Sequence, residues 1–424
     1  MNLQSFEAAP EVTDPPSCTL LEGQGEVVYG GTSAPAEIKL IMVPGRTISL
    51  ECLCNEEDLV PGFITDLGDL ESYRVCGSVD GRNVSCDTLY CTESTTHWSV
   101  DDDHWRGVFL PFSSVEFDYP AAREGLRAKS MTCALMTYTG PGFRCQVDDL
   151  EFTVNVSRHM SAYQKRARTW NSPVETATLT LLAADPLPPD VLKQKSDDFL
   201  LLLSFAQGEQ ISYYRFEFLF SDGRVSEVWQ SRRVWDPTLL SRPLSAPCDK
   251  LLQTAYSNFS SWPPEKQQLI RLAIYYHLDA KQAKVMEIIT LSEGIAWEML
   301  VREIEKDQAL TDDVKDLKKR IKVMYGEWRK AFPSAKDPEH LHSRLHSSLQ
   351  WMPLREGIEQ LVSTLNLSGN SVDPLLLKKF RDSIAHTGRF PDEYPDPQVI
   401  SNALKGLLEL GDEILLKILC PTKP

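Results

Sequence analysis

Asp373-Pro374-Leu375-Leu376-Leu377-Lys378-Lys379-Phe380-Arg381-Asp382-Ser383-Ile384-Ala385-His386-Thr387-Gly388-Arg389-Phe390-Pro391 contains both ends of a helix and a full pattern between them. Asp373 is a natural N-cap, and Pro374 falls at the first helical position, where its missing N–H costs nothing. Gly388 suits the left-handed C′ site, and Pro391 forbids continuation. The expected helix runs from Pro374 to Thr387. With Phe380 set at zero, Leu376, Leu377, Ser383 and Ile384 fall within roughly 60° of it and form the expected buried stripe. Arg381 lies near ~100°, Lys378 near ~160°, Asp382 near ~200° and His386 near ~240° on the same ideal helix. One polar arc therefore carries a guanidinium, an ammonium, a carboxylate and an imidazole, with small Ala385 between them.

That set suits cleavage of an RNA phosphodiester by its own 2′-hydroxyl. The reaction needs a base for the hydroxyl, a proton for the leaving 5′-oxygen and positive charge at the phosphorane. An imidazole serves the first two near neutral pH, and a guanidinium holds phosphate oxygens through two parallel N–H groups. No metal or other cofactor is required. Lys378, Lys379 and Arg389 add cations along the chain and are the candidate nucleic-acid contacts. His386 sits in the last turn, where the helix dipole favours its charged form, which suits a role as acid at least as well as a role as base. The same residues also describe an ordinary solvated face with a histidine complementing the dipole.

Outward from this helix the period stays helical. Trp262-Pro263-Pro264 opens a helix, and one long element is expected from Lys281 to Glu305, with Val285, Ile288, Ile289, Ser292, Ile295, Ala296, Met299 and Leu300 at helical spacing. Further helices are expected at 313–331, 339–349, 354–365 and 398–419. Before Trp262, Pro237, Pro243 and Pro247 mark a linker. From Glu26 to about Val156 the pattern is short alternating runs broken by Pro44-Gly45, Asp80-Gly81 and Gly140-Pro141-Gly142, which reads as a sandwich or barrel. Then come a strand at 177–182, a helix at 191–206 and a hairpin whose strands, 211–220 and 225–235, flank Ser221-Asp222-Gly223. The expected organisation is α+β and multidomain: a β-rich domain over residues 1–170, an α+β extension and linker over 171–247, and an all-α bundle over 248–424.

The R-x4-H spacing of Arg381 and His386, with a small polar residue directly after the Arg, on the penultimate long helix of an all-α domain, resembles the HEPN superfamily. The likeness covers the C-terminal 175 or so residues and is nearest to the ApeA-like HEPN proteins of bacterial abortive infection, in which another domain precedes the HEPN domain. The resemblance implies a metal-independent endoribonuclease whose Arg and His meet those of a second subunit at a dimer cleft. It assigns Arg381 and His386 as catalytic and Asp382 as the polar residue that orients them. Many HEPN proteins have Asn after the Arg, so Asp382 is a variant whose charge opposes phosphate. RNA, a second copy of the chain and an unknown trigger acting on the N-terminal region are the implied partners. A non-catalytic HEPN module that binds nucleic acid or protein is the alternative.

Composition bounds the rest. Of the 424 residues 42% are apolar and 25% charged, and the formal charge is −16. Residues 1–248 hold 20 Lys and Arg against 35 Asp and Glu, a net of −15, whereas 249–424 are nearly balanced at 24 against 25. The acidic first part repels phosphate backbones and suits a protein or small-molecule contact, so RNA chemistry belongs to the second. No signal, transit or membrane-spanning pattern stands out, the densest apolar run being Phe199 to Phe205, and a cytoplasmic location with reduced thiols is expected. The sequons at Asn83, Asn155, Asn258 and Asn366 are then without consequence. Ile48, Leu50, Cys52 and Cys54 share one strand face and are expected in the core. Zinc at Cys86 and Cys91 with His97 or His104, or at His342 and His346 beside His340, has poor ligand spacing. The basic run Lys315, Lys318, Lys319, Arg320, Lys322, Arg329 and Lys330 is interleaved with enough carboxylates to be a solvated face. Trp98, His104, Trp105 and Tyr119 could line an aromatic cleft for a carbohydrate or peptide.

Overall fold

Alternation of apolar and polar residues builds the first part of the chain. In β2 (Thr32–Met42) Ala34, Ala36, Ile38 and Leu40 are buried between more exposed Ser33, Pro35, Glu37 and Lys39, and in β3 (Ser49–Asn55) Leu50, Cys52 and Cys54 are buried. The expected core face of β3 is therefore found in its described residues. The computed structural model describes residues 18–29, 32–42, 49–55, 73–79, 82–97, 104–111, 115–118, 125–136, 138, 140–156, 175–229, 248–306, 319–320, 322–327, 354–367 and 372–421. The chain divides into two compact units, one of residues 1–203, 210–237 and 246–253 and the other of 204–209, 238–245 and 254–424.

In the first unit β1 (Cys18–Tyr29), β2, β3, β6 (His104–Pro111), β5 (Arg82–His97) and β4 (Tyr73–Val79) pair antiparallel in that order, and β4 pairs back onto β1. This ring is a six-stranded barrel, the closed solution that removes unpaired edges. Val27, Ile38, Cys52, Val75 and Cys86 are among its buried side chains. The ring is tightest where Gly25 and Gly77 face each other on β1 and β4. A Cβ on Gly77 would lie 2.6 Å from the Gln24 carbonyl oxygen, and one on Gly25 would lie 2.9 Å from the Gly77 Cα.

From the ring the sheet continues through β7 (Val115–Phe117), β13 (Val225–Trp229), β12 (Ser212–Phe220), β8 (Ala128–Met136), β11 (Glu175–Leu187), β10 (Leu150–Val156) and β9 (Phe143–Val147). Residues 171–247, expected as an extension and linker, thus contribute three strands to the same sheet. The expected strand at 177–182 runs on to Leu187, with a register shift after Leu182 that accommodates Pro186. Helix α1 (Pro189–Gln207) follows, and Phe199 stacks on Phe152 with ring centroids 4.0 Å apart. The hairpin forms around Ser221-Asp222-Gly223 with Gly223 at φ 89°. At the junction Arg82 donates to Asp118 at 3.0 Å and to Glu227 at 2.6 Å, joining β5 to the β7–β13 side.

The second unit contains residues 254–261 of α2 (Cys248–Ser261) together with α3 (Pro264–Gln282), α4 (Met286–Lys306), α5 (Leu354–Thr364), α6 (Leu375–Thr387) and α7 (Pro397–Leu419), with further helical pieces at 319–320 and 322–327. The sequence reading left α2 unassigned. The helix expected from Lys281 to Glu305 begins later than expected: α3 ends at Gln282, Ala283 turns extended at ψ 140°, and α4 starts at Met286. Apolar spacing carried the reading across a break that no Gly or Pro marks. Val285 and Ile288, counted in the apolar stripe, are about half exposed, at 48% and 51%. The helix expected at 339–349 lies outside the described residues, as do parts of that expected at 313–331.

Replacing Gly77 with Val should push β4 from β1 and destabilise the chain by roughly 1–3 kcal/mol, a typical overpacking penalty. Exposed Ser78→Ala should change stability by less than about 0.5 kcal/mol. Urea unfolding of the two variants checks the difference.

Candidate functional site

Helix α6 forms as its ends dictate. The Asp373 carboxylate accepts the Leu375 N–H at 2.9 Å, and Gly388 closes the helix at φ 73° while its N–H donates to Ile384 O at 2.8 Å. The Ser383 hydroxyl donates to Arg389 O at 2.9 Å, tying the exit turn to the helix. Leu377, Phe380 and Ile384 are buried, Phe380 meeting Phe390 and Tyr394 edge-on at 5.3 and 5.1 Å. Leu376 and Ser383, placed in the same stripe by the ideal wheel, are only half-buried.

Opposite this stripe the arc is polar, and His386 is exposed with no hydrogen bond to its ring among the described residues. Arg381 does not reach His386 along the helix; five residues separate them by roughly 140° of rotation. Its Nη2 forms an ion pair with Glu298 Oε1 of α4 at 2.6 Å, while Asp382 is 3.9 Å from Nη1. Asp382 is paired with Lys378, one turn back. Lys379 meets Glu393 at 2.7 Å and lies over the Tyr394 ring, and its pKa is raised chiefly by the Glu393 hydrogen bond. Arg389 lies 3.6 Å from Asp392. Each of the four cations thus has a carboxylate within ion-pair distance. The arc is close to neutral, and a phosphate must compete for these groups rather than find them free.

The strongest electrostatic constellation in the unit was not read from the sequence. His277 of α3 is fully buried, with Nδ1 2.8 Å from Glu293 Oε2 of α4 and Nε2 2.9 Å from Asp412 Oδ1 of α7. Lys281, one turn beyond His277, donates to both Asp412 oxygens at 2.7 Å, and Trp297 Nε1 donates to Glu293 Oε1 at 2.7 Å. Gly411 lets α7 come this close, since a Cβ there would lie 2.9 Å from His277 Cε1. Both imidazole nitrogens face carboxylate oxygens, so the ring is held as the doubly protonated cation. Burial works against that charge, but the Glu293 carboxylate and hydrogen bonds to Asp412 and Glu293 outweigh it and raise the pKa to about 9. Burial likewise opposes the Asp412 charge, yet the His277 hydrogen bond and the His277 and Lys281 charges hold its pKa below the ordinary value. Two cations and two anions balance. The signal in the sequence was a histidine between Ile274 and Leu278, on a face otherwise buried.

Among the described residues no group of three or more His, Cys, Asp or Glu is placed to hold a metal ion. Cys86 is buried, as are Cys52, Cys54, Cys133 and Cys145; the side chains of Cys91, His97, His104 and Trp105 lie outside the described residues, as do Trp98, Tyr119, His340, His342 and His346. In the first unit a hollow of about 380 Å³ is lined by Gly25, Glu26, Ser33, Pro35, Cys76 and Gly77, with the Cys76 thiol donating to Glu26 at 3.2 Å. No helix among the described residues is long and apolar enough to cross a membrane.

The fold class is an antiparallel β barrel continued into an open sheet, followed by a helical unit. No family model, curated protein or solved structure matches the chain.

His277 predicts a specific pH dependence. Its folded pKa lies above the unfolded value, so its contribution is complete below pH ~6.5 and is lost as pH rises through about 9. The loss is on the order of 3 kcal/mol. Asp412, with a lowered pKa, contributes above its unfolded value and ceases to do so in acid. His277→Ala should leave two buried carboxylates short of a partner, cost about 3–5 kcal/mol and flatten the alkaline slope. Thermal melts from pH 6 to 10 test both.

Proposed function

We propose that the helical unit is a HEPN-type, metal-independent endoribonuclease, acting in the cytoplasm as an anti-phage abortive-infection effector whose acidic N-terminal unit senses or is held by a trigger. The observation that supports this best is the arrangement on α6: the Leu377–Phe380–Ile384 stripe is buried while His386 stands exposed in the last turn and Arg381 emerges on the polar side. His386 would move the proton, as base for the 2′-hydroxyl or acid for the leaving oxygen, and Arg381 would stabilise the charge of the phosphorane. Asp382 would orient the arc through Lys378. Lys378, Lys379 and Arg389 would contact the RNA backbone. Because Arg381 and His386 diverge on one helix, the reading needs a second copy of the chain to bring an Arg and a His to one phosphate, and a two-fold axis near His386 does this.

A second reading, a non-catalytic HEPN module that binds nucleic acid or a protein partner, is favoured by the ion pairing of all four arc cations. A neutral arc is a weaker phosphate site than four free cations.

Purified full-length protein with RNA in the presence of chelator separates the two. The nuclease reading expects cleavage that leaves a 2′,3′-cyclic phosphate and spares DNA of the same sequence. His386→Ala should reduce the rate by roughly 10²- to 10⁴-fold. Arg381→Ala should reduce it by an amount on the order of 3 kcal/mol. Lys378→Ala should mainly weaken RNA binding and its salt dependence. None of the three faces the buried stripe, so melting temperatures should stay near the wild-type value. Folded Arg381→Ala and His386→Ala proteins that cut RNA at full rate would refute the catalytic assignment.

Light scattering provides a separate check: the active species is expected to be at least a homodimer. An active monomer at micromolar concentration would exclude the composite cleft.

A further inference from the structure

We infer that Glu298 is the positioning residue for Arg381, and that Gly294 is the seat across which the arginine reaches it. This rests on the reading of Arg381 as the phosphate-binding group. A long side chain on a helix surface ordinarily samples many rotamers, but the Arg381 stem crosses α4 at the one place where that helix has no side chain. A Cβ on Gly294 would lie 2.6 Å from Arg381 Cδ, 3.3 Å from Cγ and 3.4 Å from Nε, so any larger residue displaces the stem. Glu298 is one turn further along the same face of α4, and its Oε1 forms an ion pair with Nη2 at 2.6 Å.

Seat and hook therefore hold one edge of the guanidinium. Nη1 is 3.9 Å from Asp382, beyond hydrogen-bond reach, and neither Nη1 nor Nε donates a hydrogen bond among the described residues. Arg381 is about 25% exposed and Glu298 about 27% exposed, so the pair is neither free in solvent nor sealed. A guanidinium anchored on one edge presents its remaining N–H groups in a fixed plane, which is what two-point recognition of phosphate needs. Carboxylates behind metal-bound histidines act in the same way, fixing a ring without touching the reaction.

The rotation of α4 at this turn is fixed independently. Glu293 and Trp297, the residues directly before Gly294 and Glu298, are buried at 1% and 0% exposure and belong to the His277 network. One pair of positions a turn apart faces the core and is locked by hydrogen bonds. The next pair, about 100° around the helix, faces Arg381. The positioning is thus tied to the most constrained part of the unit.

The test uses the full-length chain. Glu298→Ala should lower kcat on RNA by about 10- to 100-fold, with KM changed less than about threefold, the pattern of a misplaced group rather than a lost binding charge. Glu298→Gln keeps an acceptor oxygen and should stay within about threefold of wild type. Gly294→Ala should resemble Glu298→Ala and add little to Arg381→Ala. The Arg381 Nε–H resonance, identified by its loss in Arg381→Lys, should be dispersed in the wild type and averaged in Glu298→Ala. Raised cleavage or tighter RNA binding in Glu298→Ala would overturn the proposal, because the carboxylate would then only compete with phosphate. So would an Arg381 resonance equally ordered in both proteins. If the wild type cuts no RNA, the nuclease reading fails, and the resonance alone still decides whether Glu298 orders Arg381.

Discussion

The helical unit depends on one buried charge: the His277 imidazolium between the Glu293 and Asp412 carboxylates. His277, Glu293 and Lys281 have left water here and Asp412 is mostly buried, and desolvation on that scale is tolerated only when every partner is in place. Lys281 completes the balance and Trp297 satisfies the remaining Glu293 oxygen. Apolar packing of α3, α4 and α7 would permit small rotations and slides of the helices, since hydrophobic contact has no direction. Hydrogen bonds from one planar ring to two carboxylates do not permit them. The network therefore specifies the mutual pose of three helices more than it adds to their stability.

The β unit solves a different problem. An antiparallel sheet leaves unpaired N–H and C=O groups at its ends, and the pairing of β4 with both β1 and β5 closes the first six strands so that neither β1 nor β4 is an open edge. Closure of so small a ring brings backbones together, and the facing pair Gly25 and Gly77 accommodates this by having no side chains there. β5 is long enough to serve both the ring and β7, and Arg82 at its start ties the two parts together through Asp118 and Glu227.

The candidate site inherits its order from the helical core. The face of α6 that carries Arg381 and His386 is the complement of its buried stripe, and α4 brings Glu298 to the guanidinium. The other cations of the arc are also paired with carboxylates, which favours selective, geometry-dependent recognition over broad attraction to polyanions. This agrees with a chain whose charge is −16 overall.

The sequence by itself determined the local elements with strong end signals. Asp373, Pro374 and Gly388 delimit α6, Ser221-Asp222-Gly223 makes a hairpin turn, and alternation marks β2 and β3, because capping, φ preference and side-chain period act within a few residues. It also separated an N-terminal β region from a C-terminal helical one. Where those signals were missing it misled: no Gly or Pro marks the break at Ala283 to Val285, and apolar spacing placed the start of α4 inside the end of α3. Only the tertiary structure decided that the first strands close into a barrel, since pairing of β4 with β1 and β5 is a long-range choice that alternation leaves open. It also decided that Arg381 is held by Glu298 and that His277, Lys281, Glu293 and Asp412 form one network. Those partners are separated by up to 135 residues, and nothing in a chain's local pattern states which distant carboxylate will face a given cation. That is set by how the helices pack once the core is formed.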